Sequence, residues 1–343
     1  MSGVRKALEN IPKGSSNEFI LTVKDLRTRF YTYEGELDAV NGVDLVIKSN
    51  ESVGLVGETG CGKSVTALSI MRLIQYPPGK IISGSIRFLG EELMAKTEEE
   101  MRLVRGGDIS MIFQKPMSAL NPTYKIGTQM VDIIKLHKGL GRKEALEQAI
   151  HFLGSVRISS PGTIVNRYPH ELSGGMRQRI MIATALSSNP ALLIADEPTT
   201  ALDATIQKQI LQLITELRSE FRFSMLFISH DLRTIFNLCD RMYVMYAGNV
   251  VEFGDVDKVI SDPRHPYFGA LLNSLPRFKA KKSRLTEVGG AVPSLIEPPP
   301  GCRFHPRCQF SLDRCEAERP VFVEVGEGHW AACFRAREGL RIA

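Results

Sequence analysis

At 343 residues, with 43% hydrophobic and 24% charged side chains, the chain is long enough for two globular domains and too evenly mixed for a fibrous or disordered protein. Lys and Arg outnumber Asp and Glu by only 43 to 38 and are spread along the chain, which excludes the concentrated basic face of a dedicated nucleic-acid binder. No apolar run approaches the ~18 residues that span a bilayer, and the opening MSGVRKALENIPKGSSNEFI has no signal-peptide apolar core, so a cytosolic place is expected. There the six cysteines read as thiols or metal ligands rather than disulfides.

Residues 1–18 read as a flexible polar tail. From Phe19, FILTVKDL and AVNGVDLVI read as strands, SVGLVG as a buried strand and Ser64–Ile74 as a helix. GSIRFLG and DISMIFQ are further strands. From Pro116 to Leu172 the pattern turns helical, with VDIIKLH and KEALEQAIHFLGSV showing i, i+3, i+4 apolar spacing. Buried strands return at ALLIADEP, SMLFIS and RMYVMYAG, separated by helical stretches at Ala204–Arg218 and Asp231–Leu238. Strands with helical crossovers, broken by a helical insert, predict an α/β core with a mixed sheet and a helical subdomain at about 116–175. After Val256 the basic run RFKAKKSR and the stiff IEPPPGC read as connectors. The last forty-odd residues, with four of the six cysteines, read as a small Cys-rich module.

The turn between SVGLVG and its helix carries the chemistry. The spacing Gly57-x4-Gly62-Lys63-Ser64 is a P-loop pattern, in which bare backbone N–H groups form an anion nest before a helix N-terminus. The run Gly57, Glu58, Thr59, Gly60, Cys61, Gly62, Lys63, Ser64 and Val65 is therefore the expected phosphate cradle. Lys63 is expected to reach the β/γ-phosphates and Ser64 to ligate Mg²⁺. Cys61, beside Lys63 and a helix N-terminus, is either a small space-filler or a thiol with lowered pKa. ALLIADEP ends in two acids, for which Asp196 fits the Mg²⁺ shell and Glu197 the polarisation of attacking water. Cys239 reads as a buried helix residue.

ELSGGMRQR (Glu171–Arg179) resembles the signature of ABC-type ATPases, and the accompanying motifs stand in the expected order over residues 20–260. The resemblance implies a P-loop NTPase core over 19–260 that binds ATP and Mg²⁺. It makes Gln114 the Q-loop glutamine, touching catalysis and Mg²⁺, Asp203 of ALD the D-loop aspartate, and His230 of SHDL the switch histidine beside Lys63 and Glu197. Ser173, Gly174 and Gly175 would face the γ-phosphate held by a partner subunit. Among Phe30, Tyr31 and Tyr33, Tyr33 is the favoured adenine-stacking ring.

DPRHPYFGALLNSLP and GCRFHPRCQFSLDRC resemble the C-terminal extension (261–343) of ATPase subunits of dipeptide and oligopeptide importers. That resemblance implies a [4Fe–4S] cluster on Cys302, Cys308, Cys315 and Cys333. Zinc stays open as an alternative, with His305 and His329 nearby although no short Cys pair is present, and so do four reduced thiols with no metal. The implied protein sits on the cytoplasmic face of the membrane with two permease subunits, a second homologous ATPase subunit and, indirectly, an extracytoplasmic solute-binding protein, with no nucleic acid. An importer of oligosaccharide or nickel, or a soluble ABC ATPase of DNA repair or translation, are the alternatives.

Overall fold

The computed structural model describes residues 18–114, 119–200, 202–274 and 289–338. The expected tail up to residue 17, Pro116, Ala201 of ALD and the run RFKAKKSR lie outside the described residues. In chain order the strands are β1 (Phe19–Thr32), β2 (Gly35–Lys48), β3 (Ser52–Val56), β4 (Gly79–Phe88), β5 (Glu91–Glu92), β6 (Ile109–Ile112), β7 (Leu192–Asp196), β8 (Ser224–Ser229), β9 (Arg241–Tyr246), β10 (Asn249–Asp255), β11 (Val323–Gly326) and β12 (His329–Ala331). The chain divides into two compact units: Met1–Lys48, Ser52–Met94 and Ile228–Ala343 form the first, and Ser49–Glu51 with Ala95–Phe227 the second.

The first unit holds two layers of sheet. One is antiparallel in the order β2-β1-β4-β5; the other runs β11-β12-β10-β9-β3. In the latter, β3 and β9 are parallel while β9, β10, β12 and β11 pair antiparallel, so the sheet is mixed as expected. Every residue of β3 is buried, which is why SVGLV reads as an unbroken apolar run rather than an alternating one. The helix after it spans Lys63–Ile70, shorter than the expected Ser64–Ile74, because Arg72 takes φ 50° and turns the chain toward the QYPPG connector.

The second unit contains β6, β7 and most of β8, with β6 and β7 parallel. Its helices include Ile126–Lys138, Arg142–Ser155, Gly174–Leu186 and Ala204–Phe221. Ile126, Met130, Val131 and Ile134 line the buried face of the first, and Ala145, Ala149, Phe152 and Leu153 that of the second. One helix here, Glu98–Val104, escaped the sequence reading although KTEEEM spells its start: Thr97 Oγ1 accepts from Glu100 N at 3.2 Å, and Glu100 Oε2 accepts from Thr97 N at 2.7 Å.

The described residues beyond 261 are built into the first unit through strand pairing and aromatic packing. Phe253 and Trp330 sit opposite each other on β10 and β12. Tyr246 of β9 packs on Tyr267 (ring centroids 4.6 Å) and on Phe304 (5.1 Å). Glu252 of β10, wholly buried, accepts from the backbone N–H groups of Arg264 and His265 at 2.8 Å each and contacts His329 Nε2 at 2.8 Å. Burial raises the Glu252 carboxyl above the usual carboxylate range, and the hydrogen bond from His329 opposes that rise. Glu252→Ala leaves three buried polar groups without their acceptor, so urea denaturation of the purified chain should report a loss of at least about 3 kcal/mol. Glu252→Gln, which keeps a carbonyl oxygen, should lose markedly less.

Candidate functional site

The P-loop lies in the first unit between β3 and the helix Lys63–Ile70. Two glycines are required by close approach: a Cβ at Gly57 (φ 154°) would stand 2.1 Å from the Met245 carbonyl oxygen, and one at Gly62 (φ 105°) 2.3 Å from that of Ala39. Gly60, by contrast, has no atom within 4 Å of its would-be Cβ and faces open space, the side from which a ligand would come. Lys63 is 5% exposed, and its ammonium donates to the carbonyls of Gly57 at 2.7 Å and Glu58 at 2.9 Å. The loop is thus drawn around its own lysine ahead of a helix N-terminus, an arrangement suited to anions.

Cys61 corrects one expectation. Its thiol is wholly buried and its pKa is raised, not lowered, because desolvation outweighs the pull of Lys63. It is the space-filler of the loop, with its sulfur under Gly57. Cys239 is buried as expected, but it caps the helix Leu232–Leu238 rather than lying within it, and Ser52 Oγ approaches its sulfur at 3.6 Å. His230 is exposed at the turn between β8 and that helix, a turn closed by the Asp231 N–H donating to Ser229 Oγ at 2.9 Å. Tyr33 is fully exposed at the tip of the β1–β2 hairpin, so it is no part of the core.

In the second unit β7 delivers Asp196, 5% exposed, to the strand end. Glu197 follows with φ 46°, a left-handed conformation that costs a residue with a side chain about 1 kcal/mol or more. Its carboxylate is held from two sides, by Gln114 Nε2 at 2.9 Å and by Thr200 Oγ1 at 2.9 Å. The structure therefore brings Gln114 and Glu197 together from positions 83 residues apart. Thr200 was missed by the sequence reading, and its signal was only a hydroxyl three residues past a candidate base.

Ser173 Oγ accepts from Met176 N at 3.3 Å and so caps the helix Gly174–Leu186. No atom lies within 4 Å of a Cβ built on Gly174, whereas one on Gly175 would come 3.3 Å from Ile206, so one glycine faces open space and its neighbour admits a helix. Gln178, buried and also missed, donates to the carbonyl of Pro198 and ties this helix to the turn after Glu197. Asp203 spends its carboxylate capping the helix Ala204–Phe221, accepting from Thr205 N at 3.1 Å and Ile206 N at 2.9 Å.

Cys302, Cys308, Cys315 and Cys333 all line one small cavity of about 20 Å³ in the first unit, together with Phe304, Phe310 and Phe334. Burial pushes Cys302 up to about 11 and Cys333 up to about 12, and raises Cys308 as well. Backbone N–H groups of Phe304, Phe310 and Arg335 point at these three sulfurs and oppose the rise. Among the described residues no three His, Cys, Asp or Glu side chains stand close enough together to hold a metal ion. The expected Cys-rich metal module is thus present as converging thiols and not as a formed metal site. His329, expected as a possible mixed ligand, is instead paired with Glu252.

A glycine loop wrapped on its lysine, and a strand ending in paired acids with a glutamine on one of them, define a P-loop ATPase. The family model for ABC transporters matches residues 40–200, and that for the oligopeptide/dipeptide transporter C-terminal region matches residues 251–315. The chain is 49% identical over 326 residues to a probable peptide ABC transporter ATP-binding protein of Sinorhizobium fredii, covering 95% of this chain and 97% of that one. It is 46% identical to an oligopeptide transport ATP-binding protein of Bacillus subtilis, over 93% of this chain and 97% of the other. Among solved structures, a dimeric ATP-binding cassette in a post-hydrolysis state bound to ADP and Pi aligns with TM-score 0.62 and 25% identity, covering 69% of this chain and 98% of that one. The chain belongs to the ABC transporter family of ATP-binding proteins.

Because Cys61 is buried with a raised pKa, iodoacetamide at about pH 8 should leave it unmodified in the folded protein, with or without MgATP. Peptide mapping by mass spectrometry should find it alkylated only after denaturation.

Proposed function

We propose that this chain is the ATP-hydrolysing subunit that powers peptide uptake through a membrane importer. One observation carries the choice of cargo class: outside the cassette, residues 251–315 match the C-terminal region of oligopeptide/dipeptide transporters, and the relatives matched along almost their whole length are named for peptide transport. No helix among the described residues is long and apolar enough to cross a membrane. With this chain on the cytoplasmic face of the membrane, two transmembrane permease subunits, a second similar ATPase subunit and an extracytoplasmic solute-binding protein complete the proposed assembly.

In this reading the P-loop amides and Lys63 bind the β- and γ-phosphates of ATP. The oxygen donors Ser64, Gln114 and Asp196 suit a hard cation and would hold Mg²⁺, which neutralises phosphate charge when bound. Glu197 accepts a proton from the attacking water, and its hold by Gln114 and Thr200 aims the carboxylate. His230 orients the γ-phosphate, and Tyr33 stacks the adenine. Ser173 to Gly175, with open space over Gly174, present a helix N-terminus to the nucleotide of the partner subunit, and Asp203 caps the start of the helix Ala204–Phe221. ATP binding would then draw two cassettes together and hydrolysis release them, a population shift rather than chemistry on the cargo.

The four cysteines are proposed to hold a [4Fe–4S] cluster. What supports this is their donor chemistry and their lining of one cavity; because they do not stand close enough to hold a metal as described, a bound cluster would have to draw them together. A structural zinc uses the same donors and is the rival outcome. A cluster there would cross-link the loops of residues 302–333 and take no part in hydrolysis.

Two measurements test these readings. In the assembled transporter, Glu197→Gln should lower ATPase kcat by about 10²- to 10⁴-fold while ATP stays bound, and undiminished turnover would remove Glu197 as the base. Anaerobically purified protein should carry about four iron and four acid-labile sulfide per chain. Stoichiometric zinc would replace the cluster, and neither metal would sink the proposal.

A further inference from the structure

Glu58, the second residue of the P-loop, is gripped by two side chains from far outside the loop. Its backbone N–H donates to Tyr267 Oη at 2.8 Å. Its carboxylate takes a bidentate ion pair from Arg307, with Nη1 at 2.8 Å and Nη2 at 3.0 Å. Both partners belong to the C-terminal extension, and all three residues lie in the first unit.

This is not a solvated surface pair of the kind that contributes almost nothing. The Arg307 side chain is 6% exposed. It also donates from Nε to the Gly289 carbonyl at 2.8 Å and from Nη1 to Tyr246 Oη at 3.3 Å, and its guanidinium lies over the Tyr246 and Phe304 rings at 5.7 and 5.9 Å. Tyr267 is equally constrained. It is wholly buried in the helix Pro266–Asn273, and its N–H donates to Nδ1 of His265, whose burial drives the ring down to about 3 and keeps it neutral. Two rigid anchors therefore act on a residue whose neighbouring carbonyl, that of Gly57, receives the Lys63 ammonium.

We infer that Arg307 and Tyr267 are positioning residues of the ATP site: from the C-terminal extension they clamp Glu58, so that the P-loop is held ready for the phosphates before nucleotide arrives. The clamp makes the extension part of the nucleotide site. Arg307 stands between Cys302 and Cys308, so any rearrangement of the thiol-lined loops reaches the P-loop through one guanidinium. The inference rests on the P-loop binding ATP and is independent of what the thiols hold.

The test is steady-state ATPase kinetics of the assembled transporter carrying Arg307→Gln, Arg307→Lys, Glu58→Gln and the Arg307→Gln/Glu58→Gln pair, with MgATP varied. Arg307→Gln should raise KM for ATP by at least about fivefold, with kcat changing less than about twofold. Arg307→Lys should recover part of that loss. The double variant should equal either single one, because both remove the same interaction. A melting temperature measured alongside separates a disordered loop from a failed fold. Where Arg307→Gln does not fold, Glu58→Gln decides alone: a raised KM supports the clamp and an unchanged one overturns it. Folded variants with unchanged KM, or additive effects in the double variant, overturn it as well. A wild-type complex with no MgATP-dependent turnover would instead sink the ATPase reading itself.

Discussion

A string of backbone N–H groups that must all face one point is the constraint on which the rest of this protein depends. Such a string cannot satisfy itself, and it cannot carry side chains on its inner surface. The loop from Gly57 to Lys63 meets the demand by lying almost on top of the Met245 and Ala39 carbonyls, at distances that no Cβ could tolerate. Strand β3 must then be buried on both faces to hold the loop's start, and β9 must run beside it to supply the Met245 carbonyl. Cys61 plugs the space beneath, which explains both the small residue there and its inert thiol.

The first unit is organised to keep that loop still. Its aromatic layer of Tyr246, Tyr267 and Phe304 joins β9 to the extension. The same residues carry the polar contacts to Glu58, through Tyr267 Oη directly and through Tyr246 Oη on Arg307. Packing and electrostatics thus use one set of rings, and apolar surroundings strengthen the ion pair they enclose. In the second unit the equivalent device is smaller. Glu197 sits in a strained conformation, with its carboxylate aimed by one amide and one hydroxyl. Strain concentrated at a single acid is the kind of local cost that functional groups bear.

Much of this could be read in advance because the chemistry is local in sequence. The P-loop is nine consecutive residues, the paired acids end one strand, and the glycines of the signature open one helix. Their spacing is dictated by backbone geometry, so it survives as a pattern. Helix and strand positions followed from apolar periodicity, with errors at ends such as Ile70, where one positive-φ residue overrides a run that still looks helical. The direction of the Cys61 pKa could not be read, because charge neighbours are visible in sequence and burial is not. Thr200 and Gln178 were missed, and His329 was read as a possible metal ligand, for a related reason: each acts through a partner that no spacing rule reveals.

The sequence by itself determined the α/β class, the phosphate-binding loop, the acids and the family, since each depends on residues adjacent along the chain. Only the tertiary structure decided that the C-terminal extension pairs its strand with β10, that Gln114 meets Glu197, and that Arg307 and Tyr267 take hold of Glu58 from 249 and 209 residues away. Contacts of that separation are set by how whole layers pack, and packing is a property of the folded volume rather than of any segment.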